Sequence, residues 1–286
     1  MSKRAAIIGD LSGFGRCAIT VALPVVSMLG VQGCPAPTAL LSTHPMYEGF
    51  YFKDLTDVLA DYLGHWQKTG IKFDAIISNY MCSYKQIEIV GNYIKSEQDA
   101  HKPLIIVDPV MGDSGKKYSI VTNEMVEGMR NLLQYADYIT PNLTEAFLLT
   151  GLDYDDDPDH KTANRLVARL QELTDGGVII KSLPRGKDKK INSLVQKGGN
   201  LETAVKWAYK PVPKSYPGCG DLFASLFTGK LLNGLTPEEA FVFACGKTTE
   251  VVEYTNRKGT PPEEGLLFEE GLLFEEVDLR EQEYDK

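Results

Sequence analysis

Short apolar runs alternate with longer amphipathic segments along most of this chain, and this alternation restricts the possible fold more than any other feature. Apolar runs of about four to six residues between Gly, Pro or polar residues are typical of buried strands, and the segments between them have helical spacing. The predicted strands lie at 4–9, 37–43, 73–80, 103–109, 137–142 and 176–182. Strands that alternate with helices form a mostly parallel sheet with helices on both faces. The sequence therefore predicts an α/β fold with a mostly parallel central sheet.

The segments between the strands predict helices, and the pattern changes after Lys181. The first predicted helices lie at 16–30, 51–67, 84–97, 123–136, 143–151 and 160–174. Beyond Lys181, the runs 190–198 and 204–212 predict a two-strand extension, and helices are predicted at 221–232 and 236–255. No linker is long enough to divide this part of the chain, so we predict a single domain over residues 1–262.

The C-terminal segment 263–286 is acidic and contains the same six residues twice. The sequence EGLLFE occurs at 264–269 and again at 270–275. A duplication of this kind indicates a non-catalytic segment on compositional grounds. The alternative is that its Leu and Phe side chains dock against the body of the protein.

Charge and cysteine content argue against some classes of partner and indicate the cellular compartment. The chain has 286 residues, a net charge of −9 and a pI of about 5.1, which argues against nucleic acid or an anionic membrane as the main partner. The five cysteines (Cys17, Cys34, Cys82, Cys219 and Cys245) are odd in number and widely spaced. They indicate free thiols in a reducing compartment. The N-terminus lacks the apolar core of a signal peptide, so we expect a cytoplasmic protein.

Polar side chains follow the ends of the predicted strands. They are Asp10 and Ser12, Thr43 and His44, Asn79 and Tyr80, Asp108, Asn142, and Lys181 and Ser182. In an open α/β sheet, ligands bind beyond the carboxyl ends of the strands. The set therefore predicts a ligand crevice along one edge of the sheet. Near it, GDLSGFG (9–15) has neither the G-x-G-x-x-G spacing of a dinucleotide site nor the Lys of a Walker A loop, and indicates a glycine-rich turn close to a ligand.

The stretch YPGCGDLF (216–223) predicts an anion-binding loop beside a carboxylate. Gly218 and Gly220 can adopt positive φ, so that their N–H groups and that of Cys219 point into one concavity. The helix predicted to begin at Asp221 adds its N-terminal dipole. Asp221 is placed to accept a proton from a hydroxyl that attacks the bound anion. The alternative is a turn that simply ends in a helix cap.

Two further motifs add carboxylates and a loop to this edge of the sheet. DPVMGDSGKKY (108–118) puts Asp108 at a strand end and then a loop that is either solvated or a flap over a phosphate. In NLTE (142–145), Asn142 and Glu145 share one face of a helical turn, which is also the pattern of helix capping. Asp108 and Glu145 are suitable carboxylates for Mg²⁺, partly through water.

These motifs together resemble the ribokinase superfamily. The pair GCGD and NLTE resembles the superfamily as a whole, and DPVMGDSGKKY, STHPMY (42–47), SNY (78–80) and CGKTTEVV (245–252) resemble its pyridoxal kinase branch. The resemblance covers roughly residues 5–255. The sister branch, the hydroxymethylpyrimidine kinases, usually has a small or apolar residue after DPVM and a different flap.

The resemblance implies a three-layer αβα sandwich, usually a homodimer, that uses ATP, Mg²⁺ and often K⁺. It implies a kinase that phosphorylates the 5′-hydroxymethyl group of pyridoxal, pyridoxamine or pyridoxine. The alternatives are a hydroxymethylpyrimidine kinase of thiamine synthesis and a non-catalytic B6-binding protein. The resemblance implies that Asp221 is the base, that the anion hole is formed by Gly218, Cys219 and Gly220, and that the substrate is contacted by Ser12, His44, Tyr80 and Asp221. It implies that ATP is bound by Asp108, Asn142, Glu145, Lys181 and Ser182, and that Asp108 and Glu145 lie near Mg²⁺. The implied flap contains Asp113, Gly115, Lys116 and Tyr118.

The chain departs from the branch at two positions. Cys219 stands where a small residue, often threonine, is expected, and a thiol at a helix N-terminus can have a lowered pKa. We therefore consider a reversible reaction of Cys219 with the pyridoxal aldehyde, against the alternative of an inert loop residue. Pro45 follows His44 where many relatives have threonine, which removes a hydroxyl from the substrate side.

Overall fold

The computed structural model describes residues 2–186 and 188–272, and its centre is a nine-stranded sheet. The strands are β1 (Arg4–Ser12), β2 (Gln32–Leu41), β3 (Phe52–Asp54), β4 (Ala75–Ser78), β5 (Leu104–Val107), β6 (Gly112–Asp113), β7 (Lys116–Lys117), β8 (Tyr138–Ile139), β9 (Gly177–Pro184), β10 (Lys190–Val195) and β11 (Val205–Tyr209). The helices are α1 (Ile19–Met28), α2 (Thr56–Lys68), α3 (Tyr84–Ala100), α4 (Asn123–Leu133), α5 (Leu143–Thr150), α6 (His160–Gln171), α7 (Cys219–Leu232), α8 (Pro237–Lys258) and α9 (Phe268–Gly271).

The sheet is parallel in its centre and antiparallel at both edges. Its strand order is β11-β10-β9-β8-β5-β4-β1-β2-β3, and β6 and β7 form a separate two-stranded hairpin. The strands from β2 to β9 in this order pair in parallel, whereas β3, β10 and β11 pair antiparallel. The predicted mostly parallel sheet and its two-strand extension are therefore confirmed. The edge strand β3 lies within the segment 51–67 that was predicted as a helix. Its three residues are all exposed and show no apolar alternation, so the sequence carries no signal for this strand.

Helices cover both faces of the sheet, as the predicted three-layer arrangement requires. One face packs on α2 to α6, and its core includes Leu59, Val90, Leu132, Phe147 and Leu166. The other face packs on α1, α7 and α8, and its core includes Val25, Phe223, Phe227 and Phe241. Successive residues of β5 serve opposite faces, with Ile105 in the first core and Ile106 in the second. This two-residue period is what a strand buried on both faces produces.

Part of the duplicated segment packs on the second core. Leu266, Phe268 and Leu272 are all at most 3% exposed and contact the cluster around α7 and α8. The docking alternative is therefore the better description of residues 264–272, whereas 273–286, with the second half of the second copy, lie outside the described residues. The division of the chain at 262/263 stays a prediction.

No helix within the described residues is long and apolar enough to cross a membrane.

Candidate active site

Asp221 lies in the first turn of α7, where two donors from distant parts of the chain fix its carboxylate. The backbone N–H of Ala18 donates to Oδ2 at 2.7 Å, and Asn79 Nδ2 donates to Oδ1 at 3.3 Å. Burial raises the pKa of Asp221 to about 7 against the Ala18 hydrogen bond, which lowers it, and the nearby Asp108 and Asp10 carboxylates add to the rise. A carboxylate with this pKa can accept a proton near neutral pH.

The two glycines before Asp221 serve different purposes, which corrects the prediction. Helix α7 begins at Cys219 rather than at Asp221, and Gly218 caps it with a φ of 86°. Gly220 is already helical. A Cβ atom at Gly220 would lie 3.1 Å from Asp108 Oδ2 and 3.2 Å from Lys181 Nζ. Gly220 therefore allows a close approach of the helix to this pair and does not supply a positive φ.

Asp108 and Lys181 form a buried ion pair directly beneath this helical turn. Lys181 Nζ donates to Asp108 Oδ1 at 2.9 Å, and their side chains are 13% and 3% exposed. Thr140 Oγ1 donates to the same oxygen at 2.9 Å. Burial acts to lower the pKa of Lys181, but the Asp108 and Glu145 carboxylates raise it overall. Lys181 therefore stays cationic where an anion would approach.

Glu145 is both a helix-capping residue and a buried member of an acidic cluster, which we define as Asp108, Glu145 and Asp221. It forms a capping box with Asn142 at the start of α5, in which Glu145 Oε2 accepts from Asn142 N at 2.8 Å. Its Oε1 accepts from Met111 N at 3.2 Å. Burial, and then the Asp108 charge, raises the pKa of Glu145 to about 8. The capping interpretation is therefore confirmed, and a role of Glu145 near Mg²⁺ and ATP stays a prediction.

The predicted flap is the hairpin β6–β7, and it is anchored to the start of α5. Asn142 Nδ2 donates to the Gly112 carbonyl at 2.9 Å, and Gly115 N–H donates to Thr144 Oγ1 at 2.8 Å. Asp113 and Lys116 are exposed on it. Tyr118 follows the hairpin, and burial together with the Glu145 and Asp113 carboxylates raises its pKa. The hairpin therefore stands beside the acidic cluster.

Three of the predicted substrate residues lie at or near the end of β1. Ser12 Oγ donates to Asp10 Oδ2 at 3.2 Å, and burial raises the pKa of Asp10 to about 6. Burial raises the pKa of Tyr80, with a contribution from the Asp10 charge. His44 packs against Gly15, where a Cβ atom would lie 2.7 Å from His44 Cβ, and burial lowers its pKa.

Ser182 is next to Lys181 but its hydroxyl is already paired. Its Oγ lies 2.8 Å from Tyr209 OH, and its N–H donates to Asn192 Oδ1 at 2.9 Å. Its φ is 64°, a left-handed conformation that costs a non-glycine residue about 1–3 kcal/mol. A contact between Ser182 and ATP stays a prediction. It requires the Ser182 hydroxyl to give up its hydrogen bond with Tyr209 OH.

The lowered thiol pKa considered for Cys219 is wrong. Burial, and then the charge of Asp221, raises the pKa of Cys219 to about 12. Its Sγ donates to the Tyr216 carbonyl at 3.1 Å. The helix dipole is outweighed because the thiolate would stand in a buried place beside a carboxylate.

Four residues of the site received no role from the sequence. Asp10 and Asn79 were recognised only as strand-end residues, and Thr140 lies within TPN at the end of β8. Ala18 offered no signal, because its contribution is a backbone N–H at a φ of 49°. A backbone donor cannot be identified from residue type.

The described residues contain no cluster of three or more His, Cys, Asp or Glu able to hold a metal by themselves. Mg²⁺ usually binds one or two carboxylates, with water and substrate phosphate completing its shell. Asp108 and Glu145 fit that requirement, since both are buried carboxylates at the loop and the Asp108 Oδ2 atom faces Gly220.

A three-layer αβα fold with a glycine-bounded helix N-terminus, a carboxylate and a buried lysine at one sheet edge defines the ribokinase-like class of proteins. Residues 14–262 match the family model described as phosphomethylpyrimidine kinase, and the chain belongs to that family. The predicted resemblance to pyridoxal kinases within the ribokinase superfamily is confirmed by the relatives below.

Two curated relatives are pyridoxal kinases by name. Pyridoxal kinase PdxY of Pasteurella multocida is 33% identical over 190 residues, which are 65% of this chain and 64% of the relative. The chain thus aligns with just under two thirds of that protein. The pyridoxine/pyridoxal/pyridoxamine kinase of Bordetella avium is 30% identical over 234 residues, 79% of this chain and 77% of the relative.

Solved structures match over nearly the whole chain. A candidate phosphomethylpyrimidine kinase from Bacteroides thetaiotaomicron is 38% identical with a TM-score of 0.89, covering 95% of this chain and 93% of that one. A second crystal form of it, with pyridoxal, is 37% identical with a TM-score of 0.86, covering 95% of both chains. Pyridoxal kinase from Lactobacillus plantarum is 28% identical with a TM-score of 0.84, covering 95% of this chain and 97% of that one.

Proposed function

We propose that this protein transfers the γ-phosphoryl group of ATP to the 5′-hydroxymethyl group of a vitamin B6 vitamer: pyridoxal, pyridoxamine or pyridoxine. The observation that carries the proposal is the fixed Asp221 carboxylate, with a pKa near 7, in the first turn of α7. The pyridoxal kinase relatives and the Bacteroides structure with pyridoxal support the choice of substrate.

In this proposal, each part of the reaction is carried out by a different group. Asp221 accepts the proton of the attacking hydroxyl, and the N–H groups at 218–220 with the α7 dipole stabilise charge on the transferring phosphoryl group. Lys181, kept cationic by Asp108, adds a positive charge to the same place. Phosphoryl transfer depends almost entirely on such positioning and electrostatic stabilisation.

Mg²⁺ belongs to this proposal as the ion that offsets the charge of the ATP phosphates. Asp108 and Glu145 would bind it, partly through water. Asn142, Lys181 and Ser182 are the proposed ATP contacts, and Asp113, Gly115, Lys116 and Tyr118 the proposed flap. Dependence on K⁺ stays a prediction, to be checked by replacing K⁺ with Na⁺ in the assay.

A second candidate is hydroxymethylpyrimidine kinase activity, alone or in addition. It is favoured by the description of the family and by the name of the Bacteroides structure. A B6-binding protein without turnover is disfavoured, because a binder has no need of a buried proton acceptor beside an anion-binding loop.

ADP release tests these candidates directly. ATP and Mg²⁺ are supplied with pyridoxal, pyridoxamine, pyridoxine or hydroxymethylpyrimidine, and the Asp221→Asn variant is the control. Turnover with a vitamer supports the proposal and ranks the substrates. Turnover with hydroxymethylpyrimidine alone would indicate a kinase of thiamine synthesis. No turnover with any of the four compounds would favour a non-catalytic B6-binding protein.

The proposal includes a homodimer in the cytoplasm. Sedimentation equilibrium measures the mass against the 31.7 kDa of one chain. Cell fractionation tests the location.

A further inference from the structure

The first copy of the duplicated segment contacts the loop that donates to Asp221. We define the C-terminal clamp as residues 264–272. Arg16, between β1 and α1, binds the clamp three times: its N–H and its Nη1 both donate to the Glu264 carbonyl, at 3.3 and 3.1 Å, and its Nε lies 2.8 Å from both carboxylate oxygens of Glu269. Ala18, two residues further along, is the residue whose N–H binds Asp221.

Two glycines lie close against the Arg16 backbone. Gly265 has a φ of 75°, and a Cβ atom there would lie 2.8 Å from the Arg16 carbonyl oxygen and 3.0 Å from its nitrogen. A Cβ atom at Gly218 would clash with the same carbonyl oxygen. The clamp, the Arg16 loop and the anion-binding loop are thus in direct contact, with no side chain between them.

The clamp has its own anchors in the body of the protein. Leu266 and Phe268 are buried in the core around α7 and α8, and Leu267 N–H donates to Thr255 Oγ1 of α8 at 3.0 Å. Glu270, next to Glu269, binds Tyr254 OH of α8 and does not contact Arg16. The two copies therefore differ in what they contact: Gly265 of the first packs on Arg16, whereas Gly271 of the second packs on Val251.

We propose that the C-terminal clamp positions the active site: by holding Arg16 it keeps the Ala18 N–H on Asp221 and keeps the 13–18 loop against Gly218. Glu269 and Arg16 are positioning residues in this proposal, because neither is required to touch a reacting atom. The inference rests on the proposed kinase function for its kinetic consequences, but its structural consequence is independent of that function.

The test compares Glu269→Ala with Glu270→Ala, two neighbouring exposed glutamates that anchor the same segment. We expect Glu269→Ala to lower kcat about threefold to fivefold, the change that an exposed ion pair at the upper end of the measured range would give. The KM for ATP stays within about twofold, and Tm changes by about 2 °C or less. Glu269→Gln, which keeps a neutral acceptor, is intermediate, and Glu270→Ala leaves kcat unchanged.

Hydrogen exchange supplies a readout that needs no turnover. In Glu269→Ala the amides of residues 13–18, including Ala18, exchange faster than in the wild type, whereas in Glu270→Ala they do not. If the wild type has no kinase activity, the proposed function fails and this measurement still tests the clamp.

Two results would overturn the clamp. The first is that Glu269→Ala and Arg16→Lys both keep the wild-type kcat and the wild-type rate of amide hydrogen exchange at residues 13–18. The other is an equal loss of kcat in both glutamate variants that follows their Tm, since that would make the segment a general stabilising contact.

Discussion

The backbone N–H of Ala18 donates to Asp221 Oδ2 at 2.7 Å across 203 residues of sequence. The hydrogen bond fixes the carboxylate at the start of α7 without adding a second titrating group. Replacement of Asp221 by Asn keeps an acceptor for this N–H but removes the proton acceptor. We expect Asp221→Asn to lower kcat by about 10²–10⁴, the usual contribution of a general base, with nucleotide affinity retained. Near-native turnover would show that Asp221 is not the base.

The pH dependence of kcat/KM follows from the raised pKa of the same residue. Only the ionised carboxylate accepts a proton, so activity rises with pH through the Asp221 pKa of about 7 and falls below it, by about tenfold per pH unit. Asp10 contributes to that raised pKa, so the variant Asp10→Asn should move the acid limb to lower pH. An acid limb near pH 4, or one unaffected by Asp10→Asn, would contradict this account.

Gly220→Ala tests the close approach of α7 to the ion pair. The new methyl group would lie 3.1 Å from Asp108 Oδ2 and 3.2 Å from Lys181 Nζ, so that the helix turn or the pair must shift. A misplacement of about 1 Å can cost about 10²-fold in turnover, and the shift here is a few tenths of an ångström, so we expect kcat to fall by about tenfold or less. Gly64→Ala in α2 is the control, because a Cβ atom there meets nothing within 4 Å. It should leave kcat unchanged and stabilise by about 0.5–1 kcal/mol, measured by urea unfolding.

Removal of Lys181 leaves the buried Asp108 charge without its partner. We expect Lys181→Met to lower the free energy of unfolding by about 3–5 kcal/mol, as for other broken buried pairs. The matched control is Lys197→Met, whose partner Asp175 is 90% exposed, with an expected loss below about 1 kcal/mol. Similar losses in the two variants in urea unfolding would contradict the buried pair.

Cys219→Ser should leave the affinity for pyridoxal and the resistance to mild oxidation unchanged. The thiol has a pKa of about 12, so almost none of it is thiolate at neutral pH. The measurement is pyridoxal binding followed by absorbance, before and after treatment with a thiol reagent. A loss of aldehyde affinity in the serine variant would restore the reactive-thiol hypothesis.

The sequence predicted the layers and most of the site because both depend on local patterns. Buried strands such as β4 and β5 are continuous apolar runs, and Asp108 and Asn142 follow the ends of β5 and β8, so their common edge could be inferred from parallel pairing alone. Lys181 lies within β9, which continues to Pro184, beyond the predicted strand end. The helix start was misplaced by two residues, since the N-cap is Gly218 in a left-handed conformation, which has no capping side chain to indicate the start.

Contacts made by backbone or between distant segments could not be predicted in this way. The Ala18 N–H has no residue signature, and the pairing of Ser182 with Tyr209 depends on the register of β9, β10 and β11. The pKa of Cys219 was misjudged because burial and the neighbouring carboxylate outweigh the helix dipole, and burial is a property of the whole fold.

Arg16 lies between Gly218 and Gly265, and this arrangement has a consequence for how the protein is made. Its contact with Glu269 joins residues 253 apart, so the loop at Arg16 is completed only by residues made much later in synthesis. Contacts of such sequence separation form late, because loop closure must precede them. If the C-terminal clamp acts as proposed, the sheet can assemble during synthesis before the Asp221 carboxylate has its final surroundings, which then require residues 264–272 to dock.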